Sequence, residues 1–101
     1  VPGGAPDVFV VIAGGAAERR GVALVEGWRD ALPGLTIVAQ LGGGGFKTHL
    51  KRADRSGAAI ALILGDAEVE RGEAAVKHLR SEAAQESCAW NDIPEKIRSL
   101  L

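Results

Sequence analysis

Three short and almost uninterrupted apolar runs restrict the fold of this chain more than any other feature. They occupy residues 7–13, 35–40 and 58–64 and read DVFVVIA, LTIVAQ and AAIALIL. Such runs are typical of strands that are buried on both faces of a parallel sheet. The segments between them, residues 17–32 and 46–56, repeat their apolar residues with helical spacing. This alternation predicts an α/β fold in which a right-handed crossover joins the first two strands in parallel and the wholly apolar third strand is central.

The second half of the chain follows a different pattern. Residues 66–72 read as a short polar turn or helical turn, and residues 73–79 then divide their side chains between two faces. A connection this short favours an antiparallel return to the third strand. Residues 86–90 are expected to add an edge strand, after which Asn91 and Asp92 would cap a last helix. The residues alone therefore predict a mixed sheet of four or five strands between two helical layers.

The length and composition of the chain allow one domain. The 101 residues are 47% hydrophobic with two Phe, two Trp and no Tyr, so an aliphatic core is expected. We expect residues 1–6 to be a linker remnant and residues 7–101 to be the domain, within a fragment of a longer protein. The single cysteine, Cys88, indicates a reducing compartment. Because no export signal or bilayer-length apolar run is visible, we expect a cytoplasmic protein without a membrane partner.

The charges of the chain are segregated. The net charge of −1 disfavours a generic binder of polyanions, which would carry a clear basic excess. Residues 47–55 nevertheless hold four basic residues against one acid, whereas residues 66–73 hold four acids against one basic residue. Any contact with RNA would therefore have to be local.

Two glycine-rich turns follow the first two strands. Residues 42–45 are four consecutive glycines, with Gly43 and Gly44 at the centre, and the earlier turn is Gly14-Gly15. Backbone N–H groups in such a turn can bind an anion, which keeps a flavodoxin-like nucleotide-binding domain open as an alternative. Neither turn matches GxxxxGK[ST] or GxGxxG, and a close backbone approach is the preferred interpretation of Gly14-Gly15.

The helix that follows the four glycines carries a basic stripe. Lys47, Lys51 and Arg55 recur every four residues and so fall on one face, with Arg52 beside them. Such a stripe could follow a phosphate backbone, or it could be an ordinary solvated face.

The chain offers no recognisable catalytic or metal-binding set. His49, His78 and Cys88 lack metal-ligand spacing, and no serine lies in a GxSxG turn. We therefore expect these three residues to be surface or packing residues, and we assign no catalytic residue and no metal ligand. Glu68 and Lys77 are more informative, because they follow the central strand, near where ligands collect in open α/β sheets. A carboxylate and an ammonium there could bind base edges or phosphate, or simply form an exposed ion pair.

These residues resemble a known family. Residues 7–81 are similar to the C-terminal anticodon-binding domain of histidyl-tRNA synthetases, above all in the FK...ADRSGA block of residues 46–58 and the LGDAEVERG...VKHLR block of residues 64–80. The resemblance implies a three-layer α/β/α domain with a five-stranded mixed sheet whose fourth strand is antiparallel. It also implies that the sheet receives the anticodon loop of a histidine-accepting tRNA.

The resemblance also implies site residues. In the threonine-specific relatives, the positions that match Glu68 and Lys77 contact anticodon bases, and the second position is arginine there. Lysine lacks the planar, bidentate reach of arginine. Together with these two residues, the resemblance and the stripe assign Gly43, Gly44, Phe46, Lys47, Lys51 and Arg55 to the nucleic-acid site. Phe46 is the candidate platform for stacking a base, although the first inner-face residue of a helix is more often part of the core.

The parent protein implied by the resemblance joins histidine to its tRNA with ATP and Mg²⁺ in an upstream catalytic domain, and it is a homodimer. This fragment would then need no cofactor and would only bind and position the tRNA. A third possibility is an interaction module of a synthetase paralogue that no longer charges tRNA. Only the upstream sequence separates that possibility from the first.

Overall fold

A computed structural model describes residues 6–42, 46–81 and 84–101 of the chain, with the side chains of Phe46 and Lys47 outside the description. It contains five strands, four α-helices and a single 3-10 turn in those ranges. The strands are β1 Val8–Ala13, β2 Ile37–Leu41, β3 Ile60–Gly65, β4 Glu73–His78 and β5 Glu86–Ala89. The α-helices are α1 Gly15–Ala31, α2 Phe46–Arg55, α3 Asp66–Arg71 and α4 Ile93–Leu100, and the 3-10 turn is Trp90–Asp92. The linker remnant expected at residues 1–6 lies almost entirely outside the described residues.

The five strands form one mixed sheet in the order β2-β1-β3-β4-β5. β1 pairs in parallel with both β2 and β3, and β4 pairs antiparallel with β3 and β5. The antiparallel fourth strand is thereby confirmed. The apolar runs predict this arrangement because β1 and β3, the two most continuous runs, occupy inner positions and are almost wholly buried.

One face of the sheet is covered by α1 and α4. Side chains of β1, β3 and β4 pack there against Trp28 of α1 and against Ile93 and Ile97 of α4. Residues three or four apart along α1 lie on its inner face, which is why Ala17, Gly21, Val25 and Trp28 are buried. This face holds the larger of the two hydrophobic clusters.

The other face of the sheet is covered by α2. Phe9 and Val11 of β1, with Ala61 and Ile63 of β3, pack there against Ala53 of α2. Because successive side chains of a strand point to opposite faces, β1 and β3 supply both clusters at once. The three-layer α/β/α architecture expected from the sequence is therefore confirmed.

Several local boundaries differ from the sequence-based predictions. α1 begins at Gly15, two residues earlier than expected, and β2 begins at Ile37. Asn91 and Asp92 do not cap α4 with their side chains; they lie in the 3-10 turn, and no side-chain cap hydrogen bond is made at Asp92. The turn is held instead by Trp90, whose indole N–H donates to the carbonyl oxygen of Glu73 at 2.7 Å.

Candidate nucleic-acid interface

The sheet topology brings the two glycine-rich turns and α3 to one edge. β1, β2 and β3 are parallel, so their carboxyl ends meet at that edge, where Gly14, Gly42 and Asp66 each follow a strand. This is the edge at which open α/β sheets usually bind ligands. Gly43 and Gly44, which the sequence analysis assigns to the site, lie outside the described residues.

The first of these turns is closed by the chain itself. Oδ1 of Asp66 accepts hydrogen bonds from the backbone N–H groups of Ala16 at 3.1 Å and Ala17 at 3.2 Å, at the N-terminus of α1. Gly14 has a φ of 113°, and a Cβ there would stand 2.3 Å from the same oxygen. The anion position of this helix end is therefore occupied by a carboxylate of the protein, which removes the turn as a phosphate site. The close-approach interpretation of Gly14-Gly15 agrees with this geometry.

We expect Asp66→Ala to lower the free energy of unfolding by about 1–2 kcal/mol, because two N–H groups at the start of α1 lose their acceptor. Asp66→Asn, which keeps one acceptor oxygen, should cost roughly half as much. Equilibrium urea unfolding followed by circular dichroism measures both values. Equal stabilities of the wild type and Asp66→Ala would show that this contact contributes nothing to stability.

Glu68 is engaged in the local structure of α3. Its Oε1 accepts the backbone N–H of Gly65 at 2.8 Å, and its Oε2 pairs with the guanidinium of Arg71 at 3.2 Å. A glutamate at the third position of a helix commonly accepts a hydrogen bond from the backbone N–H of the residue before the helix. The position of Glu68 in the sequence therefore already indicates this role. Val69, next to it, packs against the cluster under α1. α3 therefore lies at the strand-end edge, towards the α1 layer.

Lys77 lies elsewhere than its sequence position suggested. It pairs across the sheet with Ala61, the second residue of β3, and so points to the face that α2 covers. Lys77 is four positions along β4 from Glu73 at the strand-end edge, a distance of about 13 Å. The structure thus places Lys77 on the α2 face and Glu68 at the edge, rather than side by side.

The basic stripe of α2 is exposed on that same face of the molecule. Lys51, Arg52 and Arg55 are exposed, and within the described ranges none of the three makes an ion pair or hydrogen bond through its side chain. The acidic residue of this helix, Asp54, lies 4.0 Å from the guanidinium of Arg80, just beyond β4. Phe46 and Lys47 belong to the helix by their backbone. Three uncompensated cations therefore share one helix with Lys77 nearby on the sheet face beneath.

Two residues on the β2 side of α2 were not assigned to the site by the sequence analysis. His49 is 4% exposed, and its Nε2 is buried without a hydrogen-bond partner. It is three residues after Phe46, so helical spacing alone would have put it on the inner face with Leu50 and Ala53. Arg52 is the second, because its guanidinium reaches the end of β2 beside Gly42. Only the packing of α2 on the sheet reveals that contact.

The described residues provide little for bond-making chemistry. Burial raises the pKa of the Cys88 thiol, and the nearby carboxylate of Asp92 raises it further, so the thiol is protonated at neutral pH and is a weak nucleophile. In the ranges that the structure covers, no three His, Cys, Asp or Glu side chains gather as a metal site would require. Nor does any helix in those ranges combine the length and the apolar composition needed to cross a bilayer.

Comparisons with known proteins agree with one another. Residues 7–100 match the sequence profile of a family described as "Anticodon binding domain". A histidine–tRNA ligase of Halorhodospira halophila is 46% identical over 99 residues, and one of Hydrogenovibrio crunogenus is 42% identical over 96 residues. These matches cover 98% and 95% of this chain but 23% and 22% of the relatives, so the chain spans less than a quarter of their length.

A solved structure shares the fold. The crystal structure of histidyl-tRNA synthetase from Nostoc sp. PCC 7120 matches with a TM-score of 0.81 and 21% sequence identity. The match covers 95% of this chain and 22% of that one. It supports the arrangement of strands and helices described above, independently of the sequence profile.

Proposed function

This chain belongs to the anticodon-binding domain family, and from that premise we propose that it binds the anticodon loop of a histidine-accepting tRNA on the face of the sheet that carries α2. The observation that carries the proposal is the set of three exposed cations on α2, Lys51, Arg52 and Arg55, with no ion-pair partner in the described ranges. Unpaired cations on one helix attract a phosphate backbone even where the net charge of the protein is slightly negative.

The remaining candidate residues have separate roles in this proposal. Lys77 lies on the sheet beneath α2 and would contact a base carbonyl or a phosphate. Glu68 already binds Gly65 and Arg71, but each carboxylate oxygen can accept a second hydrogen bond, so a base amino group remains within its capacity. Gly43, Gly44, Phe46 and Lys47 would complete the site, the glycines through backbone N–H groups and Phe46 by stacking. The proposed site therefore contains every residue that the sequence analysis assigns, with Arg52 added.

The parent protein is part of the same proposal. The curated relatives are histidine–tRNA ligases of which this chain spans less than a quarter. We propose that the parent joins histidine to its tRNA in the cytoplasm, as a homodimer. ATP and Mg²⁺ would be needed only by its catalytic domain, while this domain positions the tRNA.

The direct test is a binding titration of the domain with an RNA hairpin that carries the anticodon stem and loop of a histidine-accepting tRNA. We expect saturable binding whose affinity falls steeply as salt rises, because counterions are released from the phosphates. A hairpin with the same stem and an unrelated loop is the matched control and should bind more weakly. Equal binding of both hairpins would show that the domain attracts RNA without recognising the anticodon loop. Binding of neither hairpin would contradict the proposal.

A further inference from the structure

His49 raises a question that the proposed site does not answer. Its imidazole is 96% buried on the inner side of α2, and Nε2 has no hydrogen-bond partner. A buried polar atom without a hydrogen-bond partner destabilises the folded state relative to a satisfied one. Such atoms are rare in native proteins, and a ligand or a water molecule can supply the missing partner.

The position of the ring shows where that partner would be. His49 Cε1, the ring carbon between Nδ1 and Nε2, lies 3.7 Å from the point where a Cβ on Gly42 would stand. Nη1 of Arg52 lies 3.4 Å from the same point. The imidazole and the guanidinium therefore converge on Gly42 at the end of β2.

Both groups can donate hydrogen bonds, and neither has an acceptor within the described part of the chain. The guanidinium carries five N–H donors and no acceptor, and the imidazole donates from Nε2 when that nitrogen carries the proton. Arg52 is exposed, so its end is free to turn towards a ligand, whereas Nε2 of His49 is buried and becomes accessible only if side chains around it move. An anion bound between the two groups would supply the acceptor that both donors lack.

The pair lies on one side of the proposed interface. Arg52 faces the β2 side of α2, because it reaches Gly42, whereas Asp54 faces the β4 side, because it approaches Arg80. Lys77 also lies on the β4 side. Lys51 and Arg55 lie between these two sides, on the outer surface of the helix.

We propose that Arg52 and His49 form a phosphate site at the end of β2, which holds a backbone phosphate of the bound RNA on the side of α2 opposite Lys77. Arg52 donates to two phosphate oxygens, and Nε2 of His49 donates to the oxygen that enters beside Gly42. The RNA backbone would then cross over α2, from Lys77 past Lys51 and Arg55 to Arg52. This inference rests on the proposed function, since an RNA strand supplies the phosphate.

The first test is Arg52→Gln, with Arg19→Gln as the matched control. Arg19 is exposed on α1, in the opposite layer, and its removal changes the net charge equally. We expect Arg52→Gln to weaken hairpin binding by roughly 3- to 10-fold and to reduce the slope of log affinity against log salt by about 0.7, while Arg19→Gln changes neither appreciably. Both variants should keep the wild-type urea midpoint. Arg52→Gln that binds like Arg19→Gln overturns the proposal.

The second test observes His49 directly through long-range ¹H–¹⁵N correlations of its ring in the wild-type protein. We expect the Nε2 resonance to move when the hairpin is added and to report a protonated Nε2 in the complex. His49→Gln should weaken binding less than His49→Leu, because Gln retains a donor. An Nε2 signal that the hairpin leaves unchanged overturns the proposal.

A titration with inorganic phosphate distinguishes failure of this inference from failure of the proposed function. If phosphate alone moves the Nε2 resonance while neither RNA hairpin binds, the phosphate site stands and the anticodon function fails. If RNA binds, but Arg52→Gln and the ring signals are unaffected, the function stands and the phosphate site fails.

Discussion

Reversing the charge of the α2 surface with the double substitution Lys51→Glu/Arg55→Glu is expected to weaken RNA binding by roughly 10- to 100-fold at about 0.15 M salt. Each cation that faces a phosphate releases a counterion on binding, and a carboxylate in its place adds repulsion. Both residues are exposed and unpaired in the described ranges, so the folded state should not change. The measurement is the dissociation constant of the anticodon hairpin over a series of salt concentrations.

The control for this prediction reverses the same number of charges on the opposite layer. Arg19→Glu/Arg98→Glu alters α1 and α4 and gives the same net charge as the α2 variant. We expect it to weaken binding by no more than about threefold, through long-range field alone. Similar losses in the two variants would mean that RNA responds to total charge and not to α2, and the proposed interface would then be wrong.

The largest loss of stability is expected for Trp28→Ala. The indole of Trp28 is 4% exposed, and its N–H donates to the carbonyl oxygen of Trp90 at 3.3 Å, which joins α1 to the segment before α4. Truncating a buried Trp to Ala costs about 3–5 kcal/mol, because apolar burial is lost and a cavity remains. A domain of this size has only about 5–15 kcal/mol in total. The free energy of unfolding, measured in urea by circular dichroism, should fall accordingly.

Trp28→Phe separates packing from hydrogen bonding at this position. It keeps most of the ring but removes the N–H, so we expect a cost of about 1–2 kcal/mol. If Trp28→Ala cost no more than Trp28→Phe, the indole would contribute through its hydrogen bond alone. The C-terminal segment would then not depend on α1 packing.

The sheet could be predicted from the sequence because its signals are local. The runs DVFVVIA and AAIALIL lack polar alternation, so strands buried on both faces follow from them directly, and the short connection around Asp66 forces the antiparallel turn into β4. The structure of the end of the chain could not be predicted from local signals. Asn91 and Asp92 have the composition of a helix cap, but the hydrogen bond from Trp90 to Glu73 holds them in a 3-10 turn. That bond joins residues 17 positions apart, so no local pattern could show it.

Some features of the candidate site also follow from the sequence, whereas others depend on the fold. The exposed stripe of Lys51 and Arg55 follows from spacing on one helix. The occupation of the α1 N-terminus by Asp66 does not, because Asp66 and Ala16 are 50 residues apart in the chain and meet only after β1 and β3 pair. The approach of Arg52 to Gly42 depends in turn on how α2 lies across the sheet.

The sequence by itself determined which segments are strands, which helix carries the positive charge, and the family to which the chain belongs, because periodicity, composition and motifs are properties of neighbouring residues. Only the tertiary structure decided that Asp66 occupies the N-terminus of α1, that Lys77 lies on the α2 face, and that the imidazole of His49 is buried and, like the guanidinium of Arg52, approaches Gly42. The reason is physical: burial and the availability of a hydrogen-bond partner depend on atoms brought together from distant parts of the chain.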